Sequence, residues 1–350
     1  MALTQVAAGL LSTNAQYTGF KNRIINGAMV IDQRNAGASV TPTASAYTLD
    51  RWEAGLSVTS KFSVQRSTTA PSGFINSLLV TSTSAYTVGA GEIFVLTQFI
   101  EGYNVADMGF GTANASTFTL SFWVRSSLTG TFGGSLQNSG RTRSYPFTYT
   151  ISSANTWEQK SITVTGDTTG TWLTDNGRGL NVIFSLGAGS TFSGTANAWA
   201  TANYYSATSA TSVVATNGAT FYITGVQLEK GSTSTSFDYR PFGTELQLCQ
   251  RYFETSFPIG TAPAQNIGIT GHALWAGSSD GGSLLGFTTY FVPKRATATM
   301  TYFNPSAANG NFANGSSVNL VAQDSNGVSV YSGSVTGSRT SVNWSASSEL

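Results

Sequence analysis

The sequence predicts an all-β protein: an antiparallel β-sandwich of jelly-roll type, then a short helix and a smaller C-terminal β domain. Three observations predict it. First, apolar residues recur with period 2, as in Thr117–Val124, where Phe118, Leu120, Phe122 and Val124 share one face. Second, clusters of Gly, Asn, Ser and Asp separate the runs, at Gly130, Gly133–Gly134, Asp167–Gly170 and Asp175–Gly179. Third, no segment between Asn22 and Phe242 holds a 3.6-residue apolar period. Many short strands at such spacing argue for a sandwich.

The elements follow in chain order. Residues 1–20 are small and polar around Val6–Leu11, a run too short to be stable alone, and read as an attachment arm. The sandwich spans 21–242. Lys61–Gln65 points Phe62 and Val64 inward, Ser161–Thr165 points Ile162 and Val164, and Val182, Phe184 and Leu186 repeat the pattern. In Phe221–Leu228, Phe221 and Ile223 share a face, but Val226 and Leu228 are one residue out of phase. A bulge at Thr224–Gly225 would return both pairs to the core. The connector, 243–256, holds the best helix, Thr244–Glu254, with Thr244 as N-cap and Glu245 in the first turn. Leu246, Cys249 and Phe253 form its apolar stripe, which must pack on its own domain or form a subunit seam. The last domain, 257–350, predicts strands at Gly286–Val292, Thr297–Phe303, Val318–Ala322 and Val328–Ser332, with a hairpin at Asn326-Gly327.

Composition excludes several functions. Only 9% of the 350 residues are charged, against about 25% in an average soluble domain. A net charge of +1 leaves no basic footprint for nucleic acid. No apolar stretch is long enough to insert in a membrane, and the N-terminus lacks the basic residues of a secretory signal. One cysteine, Cys249, and one histidine, His272, argue against a metal centre, a disulfide framework and triad chemistry. No metal, cofactor or catalytic residue is expected. Candidate carboxylates such as Glu92, Glu101, Asp107, Glu158, Asp167 and Asp175 show no informative spacing.

Two blocks carry a resemblance. Asn22–Arg34 (NRIINGAMVIDQR), followed by Asp50-Arg51-Trp52, and Phe221–Phe242 (FYITGVQLEKGSTSTSFDYRPF), running into Thr244–Phe253, resemble bacteriophage tail-fibre and related virion appendage proteins. Phe291–Ser306 is similar in kind to distal fibre domains. The resemblance implies a homotrimer in a virion, made without a signal peptide, whose N-terminal arm contacts other virion proteins and whose distal parts grip host surface polysaccharide. The large domain also resembles the carbohydrate-binding jelly-roll modules of glycosidases. In those the closing strand often supplies an Asp to a structural calcium; Ile223–Val226 offers no carboxylate here.

Candidate sugar-stacking residues are Trp172, Trp199, Tyr204 and Tyr205, with Trp275 in the C-terminal domain beside Ser278-Ser279-Asp280. The same rings could equally serve as packing. The candidate oligomer interface is Leu246, Cys249 and Phe253. Asp50 is expected to pair with Arg240 or Arg51, and Phe237, Tyr239 and Phe242 to alternate toward a core. The expected function is multivalent, non-enzymatic adhesion to glycans. Two alternatives stay open: a surface-polysaccharide depolymerase anchored by the jelly roll, and a purely structural baseplate or head component.

Overall fold

The computed structural model describes residues 20–277, 284–333 and 339–350. Nearly all of the expected N-terminal arm, and Ser278-Ser279-Asp280, lie outside the described residues. The described residues divide into two compact units: 20–29, 41–46 and 52–240, and those within 30–40, 47–51 and 241–350. The division falls near the expected boundary at 242. The helical connector is not separate but part of the second unit, and so are two early segments.

The chain is built of strands, with one short α-helix among the described residues. After β1 (Ala46–Leu49), the first unit holds β2 (Trp52–Leu56), β3 (Phe62–Ser67), β4 (Ser77–Ser82), β5 (Ile93–Glu101), β6 (Phe118–Ser126) and β7 (Gly130–Gln137). It continues with β8 (Ser144–Ile151), β9 (Glu158–Val164), β10 (Arg178–Ala188), β11 (Ser193–Gly194), β12 (Ser206–Ala207) and β13 (Thr220–Lys230). One sheet runs β2-β5-β10-β7-β8 within this unit and the other β3-β4-β13-β6-β9. Non-consecutive neighbours, antiparallel throughout, make this a jelly-roll-like sandwich. Its core lies where inward residues of the two sheets meet: Phe122 of β6 packs at 5.0 Å on Phe184 of β10 and at 5.0 Å on Tyr149 of β8.

β13 carries the expected bulge. Its register against β6 shifts between Thr224 and Gln227, and Gly225 takes a φ of 60°. Phe221, Ile223, Val226 and Leu228 are consequently all buried.

The two sequence blocks that carry the resemblance are wired together at this strand. Asn22 Oδ1 accepts from the backbone N–H groups of Ile24 (2.9 Å) and Leu228 (3.0 Å), and its Nδ2 donates to Val226 O at 3.1 Å. Gln98 exchanges two hydrogen bonds with the Ile25 backbone, each 2.8 Å. Asp238 accepts from the backbone N–H groups of Lys21 and Asn22, and Arg240 donates to the carbonyls of Asn22 and Ile24. Gly27 must be glycine, because a Cβ there would collide with the Val226 carbonyl. The indole of Trp52 donates to Asn26 O at 3.1 Å. Tyr239 and Phe242, expected to face a core, are instead 55% and 50% exposed. For Tyr239 the cause is local, since its neighbours Asp238 and Arg240 turn toward the Lys21–Ile24 backbone to make these bonds, whereas Phe242 is exposed at the start of the helix that follows.

The second unit contains α1 (Phe242–Gln250), β14 (Phe253–Thr255), β15 (Leu274–Gly277), β16 (Leu284–Thr289), β17 (Thr299–Phe303), β18 (Val318–Gln323), β19 (Gly327–Ser332) and β20 (Arg339–Ser347). Its sheet runs β14-β20-β15-β16-β19-β18, with β17 also on β20. β18 and β19 form the hairpin expected at Asn326-Gly327, where Asp324 accepts from both backbone N–H groups. α1 starts two residues before the expected N-cap and stops before Phe253, which begins β14. Cys249 and Phe253 are buried within the single chain, with the Arg34 guanidinium 3.8 Å from the Phe253 ring centroid, so neither keeps surface for a subunit seam; Leu246 is half-buried. The Arg51 guanidinium sits over the Tyr252 ring (3.6 Å to the centroid) and pairs with Glu349, not a neighbour in sequence. Asp50 accepts from Gln33, through the backbone N–H and the side-chain amide. Lys294 is fully buried, and its three donors meet Glu254, Gln250 O and Val292 O.

Candidate functional site

Strand alternation in the first unit sends one set of side chains into the core and the other onto the outward face of the β2-β5-β10-β7 sheet. Register aligns the outward set into rows. Glu53, Thr97 and Ile183 form one, Phe99, Asn181 and Gln137 the next. Gly55 and Val95 lie beside them. A pocket of about 130 Å³ opens on this face. Val95, Ile183 and Phe99 supply its apolar floor, and Tyr205 and Arg141 come from loops at its β7 side. Glycine makes the cover possible: a Cβ on Gly133 would clash with Ser206, so only a bare backbone lets β12 cross β7 here.

Polar groups in the pocket are held and incompletely satisfied. Gln137 is 0% exposed and Asn181 1%. The Gln137 amide Nε2 donates to Tyr204 O (2.8 Å) and Asn203 Oδ1 (3.1 Å), which fixes its orientation. Its Oε1 has no hydrogen-bond partner in the protein, and neither does Oδ1 of Asn181. A buried acceptor left unmade costs about 1–3 kcal/mol, so two on adjacent strands in one pocket mark a place that rewards a hydroxyl donor. Burial raises the Tyr205 hydroxyl above the ordinary tyrosine range, keeping it a neutral donor.

The structure distributes the ring residues singled out in the sequence. Tyr205 lines the pocket, its ring edge-on to Phe192 at 5.4 Å. Tyr204 is half-buried next to it, contributing its carbonyl. Trp172 and Trp199 pack on each other at 5.5 Å and on Phe110 and Tyr145. Both indole N–H groups are taken by backbone carbonyls, of Thr169 and Thr165, and Trp172 is buried. Trp275, in the second unit, is 48% exposed on β15, with the Arg339 guanidinium 5.8 Å from its ring centroid. Glu53, Thr97, Gln137, Arg141 and Asn181 do not stand out in the sequence. Only Asn181 adjoins a strand read from its period, in the outward phase beside Val182; Glu53, Thr97 and Gln137 lie on strands that the sequence reading does not pick out, and Arg141 lies in a turn.

No group of three or more His, Cys, Asp or Glu side chains among the described residues is placed to hold a metal ion. No described helix is long and apolar enough to cross a membrane.

No protein-family profile and no curated protein matches this chain in sequence. Among solved structures, the chain is similar to the enzymatically active domain of bacteriophage CBA120 tailspike protein 4, at 13% identity and a TM-score of 0.34, over 61% of this chain and 22% of that one. It is also similar to a family 11 carbohydrate-binding module from Clostridium thermocellum in complex with a β-1,3-1,4-mixed-linked tetrasaccharide (10% identity, TM-score 0.29, 56% of this chain and 98% of that one). A third is the module TmCBM61 in complex with β-1,4-galactotriose (11% identity, TM-score 0.27, 51% and 88%). The chain thus spans about a fifth of the tailspike domain's length and nearly all of the family 11 module's.

Proposed function

We propose that the first unit binds glycans in the pocket on the outward face of β2-β5-β10-β7. The observation that carries this reading is the pair of buried, unpartnered amide oxygens, Gln137 Oε1 and Asn181 Oδ1, above an apolar floor. A sugar offers hydroxyl donors on its rim and C–H faces on its ring, and this pocket offers acceptors beside Phe99 and Tyr205. One carboxylate, Glu53, lines it, whereas glycosidic hydrolysis ordinarily employs two. The reading is therefore retention of the sugar without cleavage.

The setting we propose is a bacteriophage virion appendage, a trimer that attaches to host surface polysaccharide. The support is the resemblance of the Asn22–Arg34 and Phe221–Phe253 blocks to tail-fibre proteins. Several copies engaging one surface convert weak single sites into firm attachment.

A glycan array followed by isothermal titration tests the binding. The wild type is expected to bind a subset of glycans, and Asn181→Ala with Gln137→Ala to weaken that binding at least tenfold while the thermal melt stays cooperative. Binding that the double variant leaves unchanged would place the site elsewhere. Release of oligosaccharide from a bound polysaccharide would favour the depolymerase reading.

A further inference from the structure

The β7–β8 turn, residues 138–143, is built to hold one side chain at the rim of the pocket. Asn138 is its hub. Its Oδ1 accepts from the backbone N–H groups of Thr142 (2.9 Å) and Arg143 (3.0 Å), and its Nδ2 donates to Thr142 Oγ1 and Thr171 O, both at 3.0 Å. Arg143 fastens the far end with a two-pronged bond to Asp167 (2.6 and 2.9 Å) and a third bond to Thr201. Between them Arg141 adopts a φ of 53°, a left-handed backbone that a non-glycine residue rarely takes. Its guanidinium is exposed over the Tyr205 ring, 5.8 Å from the centroid, and meets no carboxylate among the described residues. Arg23 and Arg143, by contrast, are joined to Asp107 and Asp167.

Arg141 is the basic residue among those that line the pocket. Arg178 places a second guanidinium 3.9 Å from the centroid of the pocket-lining Phe99 ring, and Glu53 lines the β2 side. An anionic group on a ligand would be drawn to the exposed guanidinium of Arg141 at the β7 side. The planar fork of arginine matches a carboxylate with two parallel bonds.

Building on the glycan-binding reading, we propose that the ligand is an acidic glycan. Arg141 takes the carboxylate of a uronic acid residue while its hydroxyls donate to Gln137 Oε1 and Asn181 Oδ1. Arg141 is then the residue that selects acidic over neutral sugars, and the rigid turn is what keeps it in place.

The test is an array carrying uronic-acid polysaccharides (polygalacturonate, alginate and hyaluronan), each beside its carboxyl-reduced counterpart, together with neutral glycans. The acidic member of at least one pair should bind at least tenfold more tightly than its reduced partner. Arg141→Gln should abolish that preference, and Arg141→Lys should retain part of it. Equal binding within every pair, binding confined to neutral glycans, or a preference that survives Arg141→Gln would overturn the proposal. Binding to neutral glycans that Asn181→Ala removes would leave glycan binding standing without the acid. Absence of binding to any glycan would overturn both.

Discussion

Asp50 is fully buried and is held by two donors from one residue, the Gln33 backbone N–H at 2.7 Å and its side-chain amide at 2.8 Å. Burial dominates over these donors and over Arg34, and pushes the carboxyl from the ordinary 3.8 up to about 6. Between those values the folded chain binds more protons than the unfolded one. The associated stability is therefore complete below about pH 4 and is lost as pH rises through 6. Asp50→Asn removes this titration. Relative to the Asn variant, the wild type should lose roughly 2–3 kcal/mol between pH 4 and pH 7 in urea denaturation. A difference that stays constant across that range would show that Asp50 titrates normally. The same scale explains why Asp50-Arg51-Trp52 reads as a motif. Each residue has its own anchor: Gln33 for Asp50, Glu349 for Arg51, the Asn26 carbonyl for Trp52. Charge alone pairs Asp50 with a neighbouring arginine, but Glu349 is almost three hundred residues away from Arg51 in the chain and no local spacing points to it.

At the scale of elements, the Asn22–Gly27 segment is a stretch of irregular backbone made rigid by side-chain amides instead of a strand ladder. Asn22→Ala strips the Ile24 and Leu228 N–H groups and the Val226 carbonyl of a partner together. Buried groups left unmade cost about 1–3 kcal/mol each, and they share one network, so the total should fall near 2–4 kcal/mol. Hydrogen exchange should show the Leu228 amide of β13 losing protection ahead of β10 amides such as Val182; equal loss on both would mean the segment is not a local clamp. Period and turn chemistry make β3, β6, β9, β10 and β13 and the strands β16 to β19 legible, down to the β13 bulge, because one extra residue beside a glycine is what lets both halves of a phase-broken strand face the same core. Gly130 and Gly133–Gly134, read as a break between strands, lie inside β7 instead. α1 is legible as a helix but not in its end: Phe253 fits the helical stripe equally well as the first residue of a strand on β20. β20 itself is not among the strands that the sequence reading picks out. Its outward residues, Ser341, Asn343 and Ser345, are polar yet buried. Asn343 is satisfied by Thr270 and Gly268. The strand is overlooked although Val342, Trp344 and Ala346 alternate with these polar residues and are buried, a period-2 signal set among small polar residues. The pocket is invisible in the sequence for a different reason. Thr97, Gln137 and Asn181 are ordinary outward residues until register aligns them.

At the scale of the whole molecule, the second unit is not a C-terminal domain in the sequence sense. Residues 30–40 and 47–51 belong to it, and they carry several of its anchors. Arg34 and Arg51 both pair with Glu349, Gln33 donates to the Phe253 carbonyl, and the Tyr47 hydroxyl donates to the Leu350 backbone. Removing them leaves the carboxylate of Glu349, only 6% exposed, without its two guanidinium partners. It also uncovers the rings of Tyr252 and Phe253, on which those guanidiniums stack. Breaking a buried ion pair from one side typically costs about 3–5 kcal/mol, a large part of what holds a domain of this size. A fragment of residues 241–350 should therefore fail to give a dispersed amide spectrum, although it holds the helix and every strand from β14 onward. The full chain carrying Arg34→Met, Arg51→Met and Glu349→Leu, which removes all three charges of the cluster together, should fold and melt cooperatively. A well-dispersed spectrum from the fragment would show that the sheet around β20 is self-sufficient and that the early segments decorate it; an unfolded triple variant would show that the charges themselves, more than the packing they bring, hold the unit together.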